Sequence, residues 1–327
     1  MLFFADHRYV LVSTVRETPT KWFQKRKLIT ALSKPNCLQS KFRDILLVVV
    51  YNYPYYDSIP HLTHFYRPMF PRIIFCGPPG NVSHHVTTID VHRGILGYEC
   101  LGKTIREHPG YKGYFYINDD VILNYWNLGE FNTTTIWESP SLFSSANMTG
   151  QTPEDWYWWV SPYGLIKCRQ ACEEVAAIGH NSTSTHAFLR WPLAFLYLNS
   201  NNSLKCFSGR SDIFYIPQKH ARTFSRISSI FYEHKVFLEI AVPTILRLLD
   251  LESNINRLPG YYIPGDVRKK DLRVTDSRFF WSVYFWKRKE WFIHPFKLHH
   301  SQLDKKLNHA MLKHYLTKKG TFSVHCT

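Results

Sequence analysis

Several features that would assign a protein class at once are absent from this sequence of 327 residues. It has no run of 18 apolar residues, the length that a membrane-spanning helix needs. It has no Gly-x-Gly-x-x-Gly fingerprint, which argues against a dinucleotide-dependent oxidoreductase. The absence of Cys-x-x-Cys pairs and of internal repeats argues against zinc ribbons and solenoids. The remaining composition, 45% hydrophobic and 20% charged, is that of an ordinary globular protein.

Basic and aromatic residues are plentiful. The 40 Lys and Arg against 25 Asp and Glu give a net charge of +15, which favours anionic partners such as nucleotide diphosphates, acidic glycans or lipid headgroups. No recognised nucleic-acid-binding module is visible, so we expect no nucleic-acid partner. The 23 Phe, 20 Tyr and 10 Trp residues supply a large core and ring-lined pockets.

Sequons and cysteines bear on the compartment. Seven cysteines would suit one or two disulfides and an odd thiol in an oxidising lumen, or a set of buried reduced thiols. Cys168 and Cys172 lie four apart on a predicted helix, a spacing that prevents a bridge between them. Five Asn-x-Ser/Thr sequons favour a secretory route. They begin at Asn81, Asn132, Asn147, Asn181 and Asn201.

The first residues, MLFFADHRYVLV, resemble neither a signal peptide nor an anchor, because Asp6, His7 and Arg8 interrupt them. Either the protein is cytosolic and its sequons are accidental, or the sequence lacks its natural N-terminus. We expect the second.

Alternation of apolar runs and amphipathic segments predicts an α/β fold. Three continuous apolar runs read as strands buried on both faces of a parallel sheet: DILLVVVYNYP, PRIIFCGPPG and GYKGYFYINDDVIL. Helical spacing fits Ser58 to Phe70, Arg93 to His108 and Ile227 to Leu249, the last kinked or divided at Pro243. A further short strand, SDIFYIP, covers 211–217.

The third strand leads into Asn118, Asp119 and Asp120. Ligands of open α/β sheets bind at the carboxyl ends of strands. Two adjacent carboxylates there suit Mg²⁺ or Mn²⁺, with coordination positions left for phosphate oxygens. The alternative is an ordinary turn that ends a strand.

Further candidates are scattered along the chain. Tyr51 and Asn52, at the end of the first strand, could stack on a base and bind a ribose, and Arg93 is another candidate for nucleotide binding. Glu239, in an apolar helical stretch, could deprotonate an acceptor hydroxyl, with Asp212 as a second carboxylate. His294 and Lys297 could hold a metal and balance a diphosphate. Each also has an ordinary structural interpretation.

The segments DILLVVVYNYP, YRPMFPRIIFCGP, GYFYINDDVIL, SDIFYIP, FLEIAVPTIL and FIHPFKL together resemble the STELLO-type glycosyltransferases over residues 44–300. The resemblance extends distantly to glycosyltransferases of the GT-A fold, including the exostosin type. It implies a Rossmann-like nucleotide-sugar-binding domain with a mostly parallel mixed sheet and helical additions. It also implies that an Asp-x-Asp motif holds Mn²⁺ against a diphosphate. Asp120 would then be the direct ligand, Asp119 and Asn118 would lie near the ribose or metal, and His294 and Lys297 would complete the site.

The first acidic position of that motif is Asn118 here. The implied function is hexosyl transfer from a nucleotide sugar, with a UDP-sugar favoured, to a glycan, protein or lipid acceptor. The alternative is an inactive relative that binds glycans or organises other Golgi enzymes. We expect a membrane-anchored Golgi or other luminal glycoprotein, with a stem at 1–43, the transferase domain at 44–300 and a basic tail at 301–327.

Overall fold

A computed structural model describes residues 37–80, 84–180, 188–265, 276–299 and 302–316. Most of the predicted stem, the sequons at Asn81 and Asn181, the Cys326 thiol and the last residues of the predicted tail lie outside these ranges, as does the side chain of Cys37.

Strands and helices alternate through the first part of the described chain. The strands are β1 (Ile45–Val50), β2 (Arg72–Gly77), β3 (Thr87–Thr88), β4 (Gly113–Asn118), β5 (Ile122–Leu123), β6 (Ile136–Glu138), β7 (Leu142–Asn147), β8 (Lys205–Gly209), β9 (Ile213–Pro217), β10 (Ile255–Arg257), β11 (Gly260–Tyr262) and β12 (Phe292–His294). The helices are α1 (Cys37–Phe42), α2 (Ile59–Tyr66), α3 (Glu99–Glu107), α4 (Tyr157–Val160), α5 (Leu165–His180), α6 (Pro192–Asn199), α7 (Gln218–Glu233), α8 (Leu238–Leu249), α9 (Ser277–Lys287) and α10 (Gln302–Met311), which a π-helical turn, Leu312–Leu316, follows.

The main sheet has seven strands in the order β10-β6-β9-β4-β1-β2-β3. Four neighbouring pairs are parallel, and β9 runs antiparallel to both β4 and β6. The predicted α/β class with a mostly parallel mixed sheet is therefore confirmed. Because β4 lies in the middle of the sheet, the Asn118–Asp120 segment follows a central strand.

The core lies on both faces of this sheet, as the uninterrupted apolar run of β1 predicted. Leu46, Val48 and Val50 face a cluster that contains residues of α3, α5, α7 and α8. The alternating residues Ile45, Leu47 and Val49 face a second cluster with α2, α9 and β12. The period of two along a strand explains how six consecutive apolar residues serve two cores.

Two helix boundaries differ from the predictions. The stretch predicted to divide at Pro243 instead divides between α7 and α8, where Lys235 adopts a left-handed φ of 58°. Pro243 lies inside α8. Because α8 begins at Leu238, Glu239 lies in its first turn. The helix predicted to begin at Arg93 begins at Glu99, because His92 and Arg93 have φ values of 45° and 57°.

Two disulfides connect elements on one face of the sheet. Cys76 of β2 bonds Cys100 of α3, and Cys168 of α5 bonds Cys206 of β8. Cys172 is a buried free thiol, so Cys168 and Cys172 do not bridge each other, as their spacing predicted.

The predicted domain boundaries at 43/44 and 300/301 remain predictions. Within the predicted tail, α10 is anchored to the domain: Lys305 pairs with Asp57, and the Asn308 amide donates to the carbonyl of Lys297 at 2.6 Å. None of the helices in the described ranges is long and apolar enough to cross a bilayer.

Candidate active site

Asn118, the last residue of β4, is buried and hydrogen-bonds Tyr116 and Asp212. Its Oδ1 accepts a hydrogen bond from the Tyr116 hydroxyl at 2.9 Å, and its Nδ2 donates to Asp212 Oδ1 at 3.1 Å. Its backbone N–H also donates to the carbonyl of Asp212 at 2.9 Å. The end of β4 is thereby tied to the loop before β9, and the Asp212 carboxyl group is held beside the Asn-Asp-Asp turn.

The turn after β4 meets a segment from nearly 180 residues later. The short strand β12 pairs with β5 and β11, and the Phe296 N–H donates to the carbonyl of Asp120 at 2.6 Å. This pairing brings His294 Nε2 to 3.3 Å from Asp120 Oδ1 and 3.4 Å from Asp212 Oδ1. The Lys297 ammonium forms an ion pair with the other oxygen of Asp120. Four of the predicted site residues therefore lie together.

Charge balance sets the protonation of this cluster. Burial raises the pKa of Asp120, but Lys297 and His294 outweigh it, and the net pKa is well below its usual range. Burial lowers the pKa of His294, but the Asp212 and Asp120 carboxylates outweigh it and raise the net value. Lys297 behaves likewise, because Asp120 offsets its burial. The cluster therefore holds an ionised Asp120 between the Lys297 ammonium and the His294 ring.

Asp119 has the opposite electrostatic setting. Burial and the neighbouring charge of Asp120 raise its pKa, and Lys297 and His294 offset this only in part. Asp119 borders a cavity of about 310 Å³, which Asp120 and Lys297 also line. The cavity is lined by Asn52, Tyr53, Tyr55, Asp119, Asp120, Lys297, Leu298 and His299.

The far wall of this cavity is aromatic. Tyr53 and Tyr55 are about half exposed, and the Tyr55 ring stacks on the His299 ring with centroids 4.7 Å apart. Asn52 Oδ1 is buried and accepts no hydrogen bond from the described residues. A Cβ at Gly94, where φ is 93°, would lie 2.5 Å from Asn52 Cγ, so only glycine leaves room for this amide.

Glu239 lies close to Asp212, at the start of α8. Its Oε1 is 3.4 Å from Nη1 of Arg210. Burial and repulsion from Asp212 raise the pKa of Glu239 to about 7, although Arg210 and His294 oppose the shift. The Arg210 guanidinium lies over the Tyr262 ring at 5.3 Å, and the Tyr262 ring is 5.3 Å from the His294 ring. Glu239 is thus connected to the Asp120 cluster through Asp212 and this chain of contacts.

Two predicted nucleotide-binding residues do not line the cavity. The Tyr51 side chain is fully buried, with its hydroxyl 2.7 Å from Ser58 Oγ and its ring against Tyr56. Arg93 is exposed on its left-handed turn and does not line the cavity. Their roles in nucleotide binding stay predictions, and this geometry offers no contact that supports them.

Sequence reasoning pointed to the segment Tyr51–Pro54, which contains Tyr53, but missed Arg210, Tyr262, Tyr55 and His299. The YNYPYY segment carried a usable signal, since a cluster of tyrosines after a strand predicts an aromatic wall. Arg210 stands two residues before Asp212 and could have been weighed with it. Nothing local marks Tyr262 or His299. The place of Tyr262 depends on the pairing of β11 with β12, and that of His299 on its contacts with Tyr55 and Asp57.

Residues 97–104, GYECLGKT, match the pattern of a phosphate-binding P-loop. A P-loop needs a glycine-rich loop whose N–H groups surround the phosphates. Here Gly102, Lys103 and Thr104 lie inside α3, where Lys103 pairs with Glu107 and the Thr104 hydroxyl donates to the Cys100 carbonyl. The match is therefore structural coincidence, and it supplies no second phosphate site.

The donor atoms of the cluster suit a divalent cation. Asp120 Oδ1 and Asp212 Oδ2 are buried and accept no hydrogen bond from the described residues. Within those same residues, however, no three His, Cys, Asp or Glu side chains form a preassembled ligand set, and Lys297 occupies one oxygen of Asp120. Such a site fits an ion that enters with a diphosphate, because Mg²⁺ is commonly held by one or two carboxylates plus substrate phosphates.

The family profile described as STELLO glycosyltransferases matches residues 12–191, a segment that contains Asp119 and Asp120 but ends before Asp212. "Probable glycosyltransferase STELLO2" of Arabidopsis thaliana is 19% identical over 68% of this chain and 27% of its own length. "Probable glycosyltransferase STELLO1" is 19% identical over 68% and 26%. The chain thus matches about a quarter of the length of these relatives. Since the profile covers more than half of the chain, the protein is a member of the STELLO glycosyltransferase family.

Proposed function

We propose that this protein transfers a sugar from a nucleotide-sugar donor to an acceptor with the help of Mn²⁺ or Mg²⁺. The observation that carries the proposal is the meeting of Asp120, Asp212, His294 and Lys297 at the end of a central parallel strand, beside a cavity with an aromatic wall. Carboxylates for a cation, an ammonium for a phosphate and rings for a base are the groups that a nucleotide diphosphate needs.

Asp120 and Asp212 would hold the ion together with diphosphate oxygens, and His294 would join them in its neutral form, because a protonated imidazole cannot ligate a metal. When bound, the ion would neutralise the charge that develops on the diphosphate leaving group. Lys297 is placed to exchange its contact with Asp120 for one with a phosphate oxygen, which would free the second Asp120 oxygen. In the cavity, Asn52 Oδ1 and Asp119 would bind ribose hydroxyls while Tyr55 or Tyr53 stacks on the base.

Glu239 would take the proton of the acceptor hydroxyl. A general base works best when its pKa is close to the operating pH, and the pKa of Glu239 is raised to about 7. Arg210 keeps the carboxylate oriented through its 3.4 Å contact. Asp212, which lies close to Glu239, would add negative charge that stabilises a positively charged sugar centre.

The alternative is a relative that no longer transfers sugar and binds glycans or organises other Golgi enzymes. The amide at Asn118 and the Lys297–Asp120 ion pair favour it, because both reduce the charge available to a cation. The two functions differ in whether nucleotide binding depends on the metal.

A lumen of the secretory pathway, the Golgi first, is the proposed location. The two disulfides support an oxidising compartment. Three sequon asparagines in the described ranges, Asn132, Asn147 and Asn201, are exposed and accessible to glycosylation. The proposed partners are a UDP-sugar and an acceptor glycan or glycoprotein.

Calorimetric titration with UDP, GDP and CMP, with and without Mn²⁺, tests the proposal. We expect one nucleotide to bind in a Mn²⁺-dependent manner and the Asp120→Asn variant, which keeps the shape of the side chain, to lose that dependence. Asp44→Asn is the matched control, since Asp44 pairs with Lys112 at the surface. If the unaltered protein bound nucleotide equally well with and without Mn²⁺, a metal-dependent donor site would be contradicted. The same holds if Asp120→Asn and Asp44→Asn showed the same Mn²⁺ dependence as each other.

A further inference from the structure

An aromatic surface lies next to the Glu239 side of the candidate site. It consists of Phe143, Trp156, Tyr157, Trp158 and Phe237, and we name it the aromatic platform. The Phe143 and Trp156 rings are 5.7 Å apart, the Trp156 and Phe237 rings 5.9 Å, and Trp158 stacks on Phe237 at 3.9 Å. Phe237 lies two residues before Glu239, so the platform reaches the proposed base.

The platform is partly open to solvent. Phe143 is 45% exposed and Tyr157 62%, Trp156 and Trp158 are half-buried, and Phe237 is 8% exposed. Isolated exposed rings are ordinary, but a connected set of aromatic rings that reaches the surface at two places is a candidate binding surface. Trp159, next in the chain, is buried and holds this segment to the domain through its Nε1–H bond to Ser144 Oγ at 3.1 Å.

Arg210 connects the platform to the site. Its guanidinium lies 5.5 Å from the Phe143 ring and 5.3 Å from the Tyr262 ring, and it contacts Glu239. A molecule that lies on Phe143 would therefore have one end beside Arg210 and Glu239. That is where an acceptor must place its hydroxyl group.

The polar groups around the platform select the class of acceptor. Glu154 and Asp155, both exposed, directly precede Trp156. Carboxylates accept hydrogen bonds from hydroxyl groups and repel phosphate or carboxylate headgroups. The C–H bonds on one face of a pyranose ring carry small positive charges, which the negative face of an aromatic ring attracts. Rings beside carboxylates therefore match a sugar chain better than a lipid chain.

We propose that the aromatic platform binds the acceptor, and that the acceptor is an oligosaccharide. This inference rests on the proposed transferase function for its meaning, but it makes a separate physical claim: the platform binds sugar chains without donor or metal. A lipid acceptor would be an outcome against it.

Ligand-observed NMR tests the claim on the full chain, without nucleotide or Mn²⁺. The probes are linear tetrasaccharides of glucose, mannose, N-acetylglucosamine and galacturonic acid, and a short-chain alkyl phosphate is the lipid-like probe. We expect saturation transfer from the protein to the C–H protons of at least one neutral tetrasaccharide and none to the alkyl phosphate.

Two variants at one position separate ring stacking from plain apolar contact. Phe143→Leu keeps an apolar side chain without a π face and should weaken tetrasaccharide binding by about three- to tenfold, the usual worth of one aromatic contact. Phe143→Tyr keeps the ring and should bind like the unaltered protein. Trp286→Leu is the control, since Trp286 is 88% exposed on α9, outside the platform, and it should change nothing.

The outcomes separate this inference from the proposed function. Binding of a tetrasaccharide that Phe143→Leu weakens supports the platform, even if no nucleotide binds in a Mn²⁺-dependent manner. No tetrasaccharide binding, equal binding by Phe143→Leu and Phe143→Tyr, or saturation of the alkyl phosphate instead overturns it, even if the donor site proves correct. Thermal unfolding of each variant checks that the fold is intact.

Discussion

Replacing Glu239 with glutamine should make the protein more stable at pH 8 and change little at pH 5. Burial and Asp212 raise the pKa of Glu239 from 4.5 to about 7 in the folded protein. Between pH 4.5 and about pH 7, the folded state keeps a proton that the unfolded state has lost. The free energy of unfolding therefore falls as the pH rises through this window, and glutamine, which does not ionise, removes that loss.

The magnitude follows from the size of the shift. Raising a pKa from 4.5 to about 7 corresponds to about 3 kcal/mol, because one pKa unit is worth about 1.4 kcal/mol. The attraction of Arg210 for the ionised carboxylate is already contained in this net pKa, so the lost ion pair is not subtracted a second time. We therefore expect a net gain of about 3 kcal/mol at pH 8.

Urea unfolding of the two proteins at pH 5, 6, 7 and 8 measures this difference. The Glu239→Gln curve should separate from that of the unaltered protein as the pH rises. Glu107→Gln is the control, because Glu107 pairs with Lys103 at the surface of α3, and it should follow the unaltered protein at every pH. A constant difference between Glu239→Gln and the unaltered protein from pH 5 to pH 8 would refute the raised pKa, and with it the case for Glu239 as a base.

Three other predictions follow from particular contacts. Arg247→Met leaves the buried Glu138 carboxylate with Arg257 as its remaining cation, and should cost about 3 kcal/mol in urea unfolding; a cost below about 1 kcal/mol would contradict a buried ion pair of structural importance. Tyr55→Ala should weaken nucleotide binding about tenfold by calorimetry, since one ring-to-base contact is worth about 1–3 kcal/mol; unchanged affinity would place the base elsewhere. Expression through the secretory pathway should give a protein whose mass falls on glycosidase treatment, and no mass change would favour the cytosolic alternative. The exposed sites are Asn132, Asn147 and Asn201.

The strands that position the turn after β4 could be predicted from sequence because each is a local signal. A strand buried on both faces is a continuous apolar run, and β1 and β4 are such runs. The rule that ligands bind at the carboxyl ends of parallel strands then singled out Asp119 and Asp120. Neither step needed knowledge of distant contacts.

The other half of the site depends on distant contacts that no local pattern encodes. His294 belongs to a three-residue strand, too short for a periodic signal, and its place next to Asp120 follows from the pairing of β12 with β5. Its residue type made His294 a candidate ligand, and the family resemblance favoured a place next to the metal. The antiparallel direction of β9, which brings Asp212 to the end of β4, could not be predicted from sequence either. The apolar segment SDIFYIP fits a parallel and an antiparallel strand equally well.

These distant contacts explain why an amide at position 118 suits the site. Asn118 Nδ2 donates to Asp212 Oδ1 at 3.1 Å, and Asn118 Oδ1 accepts from Tyr116. An aspartate there would place two carboxylates at hydrogen-bond distance, where they would have to share a proton or repel each other. The amide instead donates a hydrogen bond to Asp212 and leaves its carboxyl group oriented toward His294. In the proposed site, the second acidic ligand has therefore moved from the strand end to the loop before β9, and the departure from the Asp-x-Asp pattern does not by itself remove the cation site.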